Sequence, residues 1–280
     1  MIVLALNSGS SSFKFGLYRV DASRVEELIS DTLPASNPEE AVAGVAKRLA
    51  RSKVPAPAAI GHRIVHGGPA LRQHCLIDAS VVQQLEAAVS FAPLHMPAAL
   101  SFIHFAQEQF PGLPQVACFD TSFHAGLPDV ERVLPIPREW QLDGIQRYGF
   151  HGISIESILH HLGPVVPDRV VIAHLGNGAS VTAVKCGKSI DTSMGLTPTG
   201  GVIMGTRTGD LDPGVLLYLV REKKFDAAML ADLIDHALPC WGSRASAATC
   251  GNCMRLRRQT QMHGLRSRCF VIPLENRSPP

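Results

Sequence analysis

At 280 residues the chain is long enough for one large domain or, more naturally, two of ordinary size. With 46% hydrophobic and 18% charged residues and a formal net charge of +2, it reads as a folded protein with a sizeable core and no broad basic surface for nucleic acid. No apolar run reaches the length of a membrane span, and the opening MIVLALNSGS has neither a basic n-region nor a cleavage pattern, so the expected setting is cytoplasmic.

In chain order, apolar runs predict strands over residues 3–7, 13–20, 58–61, 116–119, 170–175 and 180–184. Helical spacing of apolar residues predicts helices over 39–50, 79–91, 97–110, 154–162, 213–221 and 225–236. An opening hairpin followed by mixed strands and helices is the pattern of an α/β protein. The same order starts afresh near Arg169, after an aromatic- and glycine-rich stretch over 127–152. Domains are therefore expected over 1–125 and 126–237. Composition then breaks: residues 238–280 hold seven arginines, four cysteines and one acidic residue, Glu275, and no periodicity survives. A basic unstructured tail, a zinc module on Cys250-x-x-Cys253 and out-of-frame sequence are the three readings of that segment. The remaining cysteines, Cys75, Cys118 and Cys186, are sparse, as in proteins that keep their thiols reduced.

Chemistry-bearing residues gather in short stretches at the ends of predicted strands. LNSGSSSFKF places Asn7, Ser10, Ser12 and Lys14 around a tight turn, which suits a phosphate and equally suits an ordinary hairpin. GHRIVHGG sets Arg63 between two histidines, where it can grip a carboxylate or phosphate or lie solvated in a loop. APLHMP carries Leu94 and His95 at a helix start. In CFDTSFH, Asp120 directly follows an apolar strand, where a carboxylate needs an N-cap, a cation or a metal. RYGFHG presents His151, and HLGNGAS combines a Gly-Asn-Gly hairpin turn with a second anion-cradling loop. The stretch DTSMGLTPTGGVIMGTRTGDLDPG holds Arg207 between glycine turns, and so long an irregular segment is costly to order without a purpose. No P-loop and no paired zinc pattern occurs. Two arginines, two phosphate-type hairpins, a strand-end aspartate and loop histidines together describe a cleft for a phosphorylated anion. Phosphoryl transfer asks for that: positioning and positive charge.

In this order, these stretches resemble the acetate kinase family over residues 1 to about 236. The resemblance implies the two-domain, ribonuclease H-like fold shared by actin, sugar kinases and Hsp70-type ATPases, here with the second domain incomplete. It implies reversible, direct in-line transfer of the ATP γ-phosphoryl to acetate, with Mg²⁺ (or Mn²⁺) as metal, and a homodimer with no nucleic-acid or membrane partner. Asn7 would help hold the metal–phosphate group, with Ser10, Ser12 and Lys14 lining the first phosphate turn. Arg63 and Arg207 would bind the carboxylate and the phosphoryl group, Asp120 would orient them, and His151 would donate to the transition state. His95 would shape the site. His174, Leu175, Gly176, Asn177 and Gly178 would cradle the nucleotide phosphates. Val65, Leu94 and Pro198 would line a pocket for the acetate methyl; a propionate or other short-chain acyl kinase is the alternative within the class.

The chain departs from the family pattern at Met96, Ile153 and Ile155, which replace polar residues, and at TPTGG. It departs most at the tail. The family continues with GLLGISG-x-S-x-DMR, which contacts adenine, then a GIGEN turn and a returning C-terminal helix, and none stands here. Yet residues 238–255, back-translated and reread in a shifted frame, permit ALLGISGISSDMRQLHA. A frameshift near residues 237–239 therefore accounts for the arginine and cysteine excess without a zinc site. The expected consequence is a weakly stable, catalytically feeble chain, with an inactive remnant as the limiting case.

Overall fold

The computed structural model describes residues 1–9, 12–22, 24–163 and 166–236, together with the backbone of 269–273. The chain divides into two compact units, Met1–Ala125 and Gly126–Pro280.

The first unit is built on a six-stranded mixed sheet. Strands β1 (Ile2–Ser8), β2 (Ser12–Val20) and β3 (Val25–Pro34) form an antiparallel meander. Strands β4 (Ala59–Ile64) and β6 (Gln115–Phe119) then add parallel to β1, and the two-residue β5 (Cys75–Leu76) closes the far edge, giving the order β3-β2-β1-β4-β6-β5. Helices α1 (Pro38–Arg51), α2 (Ala79–Ala87) and α3 (Met96–Gln109) complete the unit. Asn37 sets the start of α1 by accepting the Glu40 amide, with proline at the first helical position and Glu39 and Glu40 in the first turn. Leu4, Leu6, Phe13, Phe15, Leu17 and Ile60 from the sheet meet Val42, Val45, Phe102 and Ala106 from α1 and α3 in one core. Phe13 and Phe102 stack at its centre, their rings 4.1 Å apart.

Strand β3 is absent from the sequence reading because its inward residues, Leu28, Ile29 and Leu33, are interrupted by Glu26 and Asp31. A bulge at Leu17/Tyr18 also breaks the two-residue alternation against β2. The helix expected over 79–91 stops at Ala87 and passes into a 3₁₀ turn at Val89–Phe91. Met96, which departs from the family pattern, is fully buried at the start of α3 and serves the core.

The second unit opens with the short helices α4 (Asp129–Arg132) and α5 (Arg138–Leu142), in a stretch that reads as loop, followed by α6 (Gly152–Leu162). Strands β7 (Arg169–Leu175), β8 (Ala179–Lys185) and β9 (Lys188–Thr192) repeat the antiparallel meander of the first unit. Ile155, another departure from the family pattern, is buried. Residues 193–212 contain no helix or strand but are stitched by their own hydrogen bonds. The Gly201 amide donates to Asp210 Oδ1 and the Asp210 amide to the Gly201 carbonyl, both at 2.7 Å. Gly201 and Gly209 hold positive φ, and a Cβ on either would lie 2.5 Å from a backbone oxygen, so no larger residue fits there. Helices α7 (Pro213–Lys223) and α8 (Ala227–Asp235) follow.

Strand β10 (Cys269–Pro273) pairs antiparallel with β7, giving the order β10-β7-β8-β9. These five residues depart from the reading of residues 238–280 as an unstructured tail. The run Phe270-Val271-Ile272 is apolar and β7 offers an open edge, where backbone pairing satisfies donors and acceptors on both strands. The expected frame change near residues 237–239 and the Cys250/Cys253 pair lie outside the described residues.

Candidate active site

In the first unit the sheet register aligns the residues singled out from sequence. Asn7 on β1 stands opposite Lys14 on β2 and Arg63 on β4, so the three form a row across the strand ends. Arg63 turns toward Asp120, which follows β6. Its Nε lies 3.2 and 3.1 Å from the two carboxylate oxygens, and its Nη2 donates to Oδ2 at 2.5 Å. Its Nη1 donates to Asn7 Oδ1 at 3.1 Å. Asp120 is buried, while a third of the Arg63 side chain remains exposed. The carboxylate beside it raises the Arg63 pKa further, against the cost of burial. This settles the alternatives for Asp120: its partner is a cation, and the 3₁₀ turn Ser122–His124 is flanked by Thr121 without a side-chain cap. Both histidines beside Arg63 make contacts away from it. His62 points to the opposite face of the sheet, where its Nε2 bonds Gln115 Oε1 at 2.7 Å, and His66 Nδ1 accepts the Gly68 amide at 2.8 Å.

Other first-unit candidates lie around this cluster. Ser12 accepts the Gly9 amide on its carbonyl at 2.8 Å, closing the first hairpin, and Lys14 is exposed. Ser10 lies outside the described residues. Val65 is buried and Leu94 is 50% exposed; His95 precedes α3 without capping it through its side chain.

In the second unit His151 sits immediately before α6 with φ of 62°, a left-handed conformation that a non-glycine residue holds only at a cost. Its ring stacks on His174 with centroids 4.0 Å apart and planes 13° apart, and its Nδ1 lies 2.9 Å from the buried Ser180 hydroxyl. The hairpin register puts His174 opposite Ser180 and Leu175 opposite Ala179, which brings both histidines to the turn 176–178. There the Gly176 amide donates to the Gly178 carbonyl at 3.0 Å, and Asn177 is exposed. A Cβ on Gly178 would lie 3.2 Å from His151 Nε2 and 3.4 Å from an Arg207 Nη1 atom. The His151 and Arg207 side chains therefore converge on one glycine turn, and glycine leaves them the room. Arg207 Nη1 also donates to the Pro198 carbonyl at 3.1 Å, and burial lowers its pKa, with Asp235 acting the other way. Ser180 is the partner the sequence reading missed. Its signal was present, because counting back through the Gly-Asn-Gly turn places it beside His174.

The Acetokinase family profile matches residues 27–238. The chain belongs to the acetokinase family. The match ends where composition breaks. An acetate kinase from Nitrobacter hamburgensis is 40% identical over 264 residues, covering 83% of this chain and 65% of that protein. The acetate kinase 2 of Neisseria meningitidis serogroup B is 49% identical over 183 residues, covering 63% of this chain and 46% of that one. This acetokinase-family chain thus spans less than two thirds of the length of these curated relatives. Among solved structures, a propionate kinase from Francisella tularensis is similar with a TM-score of 0.76 at 35% identity, covering 84% of this chain and 68% of the other. Porphyromonas gingivalis acetate kinase is similar with a TM-score of 0.73 at 32% identity, covering 90% and 74%. The fold expected from the family resemblance is therefore that of this chain.

Proposed function

We propose that the chain transfers the γ-phosphoryl group of ATP to acetate, giving acetyl phosphate and ADP, at a rate held low because residues 238–255 do not carry the adenine-contacting sequence of the family. The observation that carries this reading is Arg63, held from one side by Asp120 and from the other by Asn7 while a third of its side chain stays exposed. A fixed, partly exposed arginine is a receptor for a carboxylate or a phosphoryl oxygen. Asp120 is engaged along both oxygens and buried, so it orients Arg63 and is badly placed to attack phosphorus itself. Direct in-line attack by the acetate oxygen is the consistent route.

In the second unit, if His151 Nδ1 accepts the Ser180 hydroxyl proton, its Nε2 carries hydrogen toward the Gly178 turn. His151 and Arg207 then donate to equatorial oxygens of the moving phosphoryl group, while the 174–178 turn holds the nucleotide phosphates. Val65, Leu94 and Pro198 receive the acetate methyl. Magnesium, bound with ATP, would neutralise phosphate charge. Among the described residues no group of three or more His, Cys, Asp or Glu forms a metal cage, and the amide oxygen of Asn7 is a hard donor of the type magnesium accepts. Asn7, together with phosphate oxygens and water, would hold it. A cytoplasmic homodimer is the setting this reading implies; among the described residues no helix is long and apolar enough to cross a membrane.

Hydroxamate trapping with Mg–ATP tests the reading. Acetate-dependent product is expected well below an ordinary enzyme turnover of about 10 s⁻¹. Acetate should exceed propionate in kcat/KM by roughly tenfold or more, because one methylene in a tight pocket is worth about 1–3 kcal/mol. Absence of acetate-dependent product would refute transfer; a reversed ratio would make the chain a propionate kinase. Calorimetry with Mg–ATP separates a slow enzyme from an inert remnant, which would give no binding heat.

A further inference from the structure

We infer that His74 is a positioning residue for the acid site: it pins the turn that presents Asp120 to Arg63. His74 belongs to none of the motifs read from the sequence. It precedes β5, whose two residues pair with β6 as Cys75 opposite Ala117 and Leu76 opposite Val116. Continuing that register places His74 beside Cys118, one residue short of the end of β6. There the backbone ladder stops and the side chain takes over: His74 Nδ1 accepts the Phe119 amide at 3.1 Å.

The geometry explains why a side chain is needed. Amides along a strand point alternately to either side. The Asp120 amide points toward β4 and donates to the Ile64 carbonyl at 3.0 Å, so the Phe119 amide points toward β5, beyond the last β5 residue that could meet it. Phe119 is fully buried, and an unmet amide there has no water to turn to. Because Nδ1 accepts, the neutral ring carries its hydrogen on Nε2. Nε2 lies 3.2 Å from Ser122 Oγ, and that hydroxyl donates to the Phe119 carbonyl at 2.9 Å. One imidazole therefore holds both the amide entering Asp120's turn and the serine leaving it. Asp120 lies between these two anchors. Its two-oxygen grip on Arg63 depends on where that turn sits.

The inference rests on the Arg63–Asp120 pair being the acid-binding element, and the test separates the two claims. In the full chain, His74→Ala removes both contacts. His74→Asn keeps an oxygen near the Nδ1 position and restores the acceptor for Phe119. ¹⁵N spectroscopy then follows exchange of the Phe119 amide and of the Arg63 Nε hydrogen, and equilibrium dialysis follows acetyl phosphate binding. In His74→Ala, both hydrogens should exchange at least about tenfold faster and acetyl phosphate should bind more weakly, while the Leu4 amide in the same sheet is unchanged. His74→Asn should recover most of the loss. If His74→Ala unfolds the unit, the comparison of His74→Asn with Ser122→Ala still decides: Ser122→Ala should speed Arg63 exchange more than His74→Asn. An Arg63 Nε hydrogen that is indifferent to these changes overturns the inference. If it responds while the unsubstituted chain binds no acetyl phosphate, His74 positions Asp120 as inferred and the substrate assignment is what fails.

Discussion

In the first unit, helices α1 and α3 drive whole faces into the sheet, and Val42, Val45, Phe102 and Ala106 are at most 1% exposed. In the second unit, α7 and α8 bury no residue among those described, and Leu217, Tyr218, Val220 and Met229 stand exposed. Both helices are well started, by Asp212 and Asp226 accepting amides of their first turns. Local sequence signals therefore form these helices even though, among the described residues, neither buries a side chain. Arg63 and Asp120 belong to the unit with the closed core, and the Gly-Asn-Gly turn 176–178 to the unit whose last two described helices are exposed.

The sharpest way to break this contrast is to truncate one apolar side chain in each unit. Phe102→Ala removes a ring stacked on Phe13 in a closed core and should cost about 3–5 kcal/mol in urea unfolding. Leu217→Ala, at a residue 53% exposed, should change stability by no more than about 0.5 kcal/mol. Equal effects would mean that α7 has a partner after all.

Acid should strike the first unit through His62. Burial pushes its pKa down to about 4, partly offset by the bond to Gln115. The unfolded chain takes up this proton near pH 6.5, well before the folded one, so stability is complete above 6.5 and falls as pH drops toward 4. The loss should reach roughly 3 kcal/mol by pH 4. His62→Gln, which removes the titration, should flatten this slope in urea midpoints measured from pH 7 to 4. A slope unchanged in the variant would assign the acid sensitivity to other groups.

Much of this was legible in the sequence. The strand-end positions of Arg63 and Asp120, the glycine turn at 176–178 and the six long helices follow from periodicity and turn chemistry. What was not legible depends on pairing between distant segments. Strand β3 hides its alternation behind acidic residues and a bulge. The inward role of His62 follows from the face of β4 it occupies and that of His66 from the turn that follows β4, and the motif GHRIVHGG does not distinguish them from Arg63. His74 is invisible because a two-residue strand leaves almost no pattern, and its role exists only through residues 45 and 48 positions away. Ser180 was within a motif, and only the register singles it out.

The last prediction bears most directly on the central proposal, that Arg63 and Arg207 are each receptors for the phosphorylated anion. Acetyl phosphate affinity, measured by equilibrium dialysis for the chain and for Arg63→Ala and Arg207→Ala, decides it. Each substitution should weaken binding about tenfold or more, as expected when a charge-assisted contact is lost. An affinity untouched by either substitution would contradict the account.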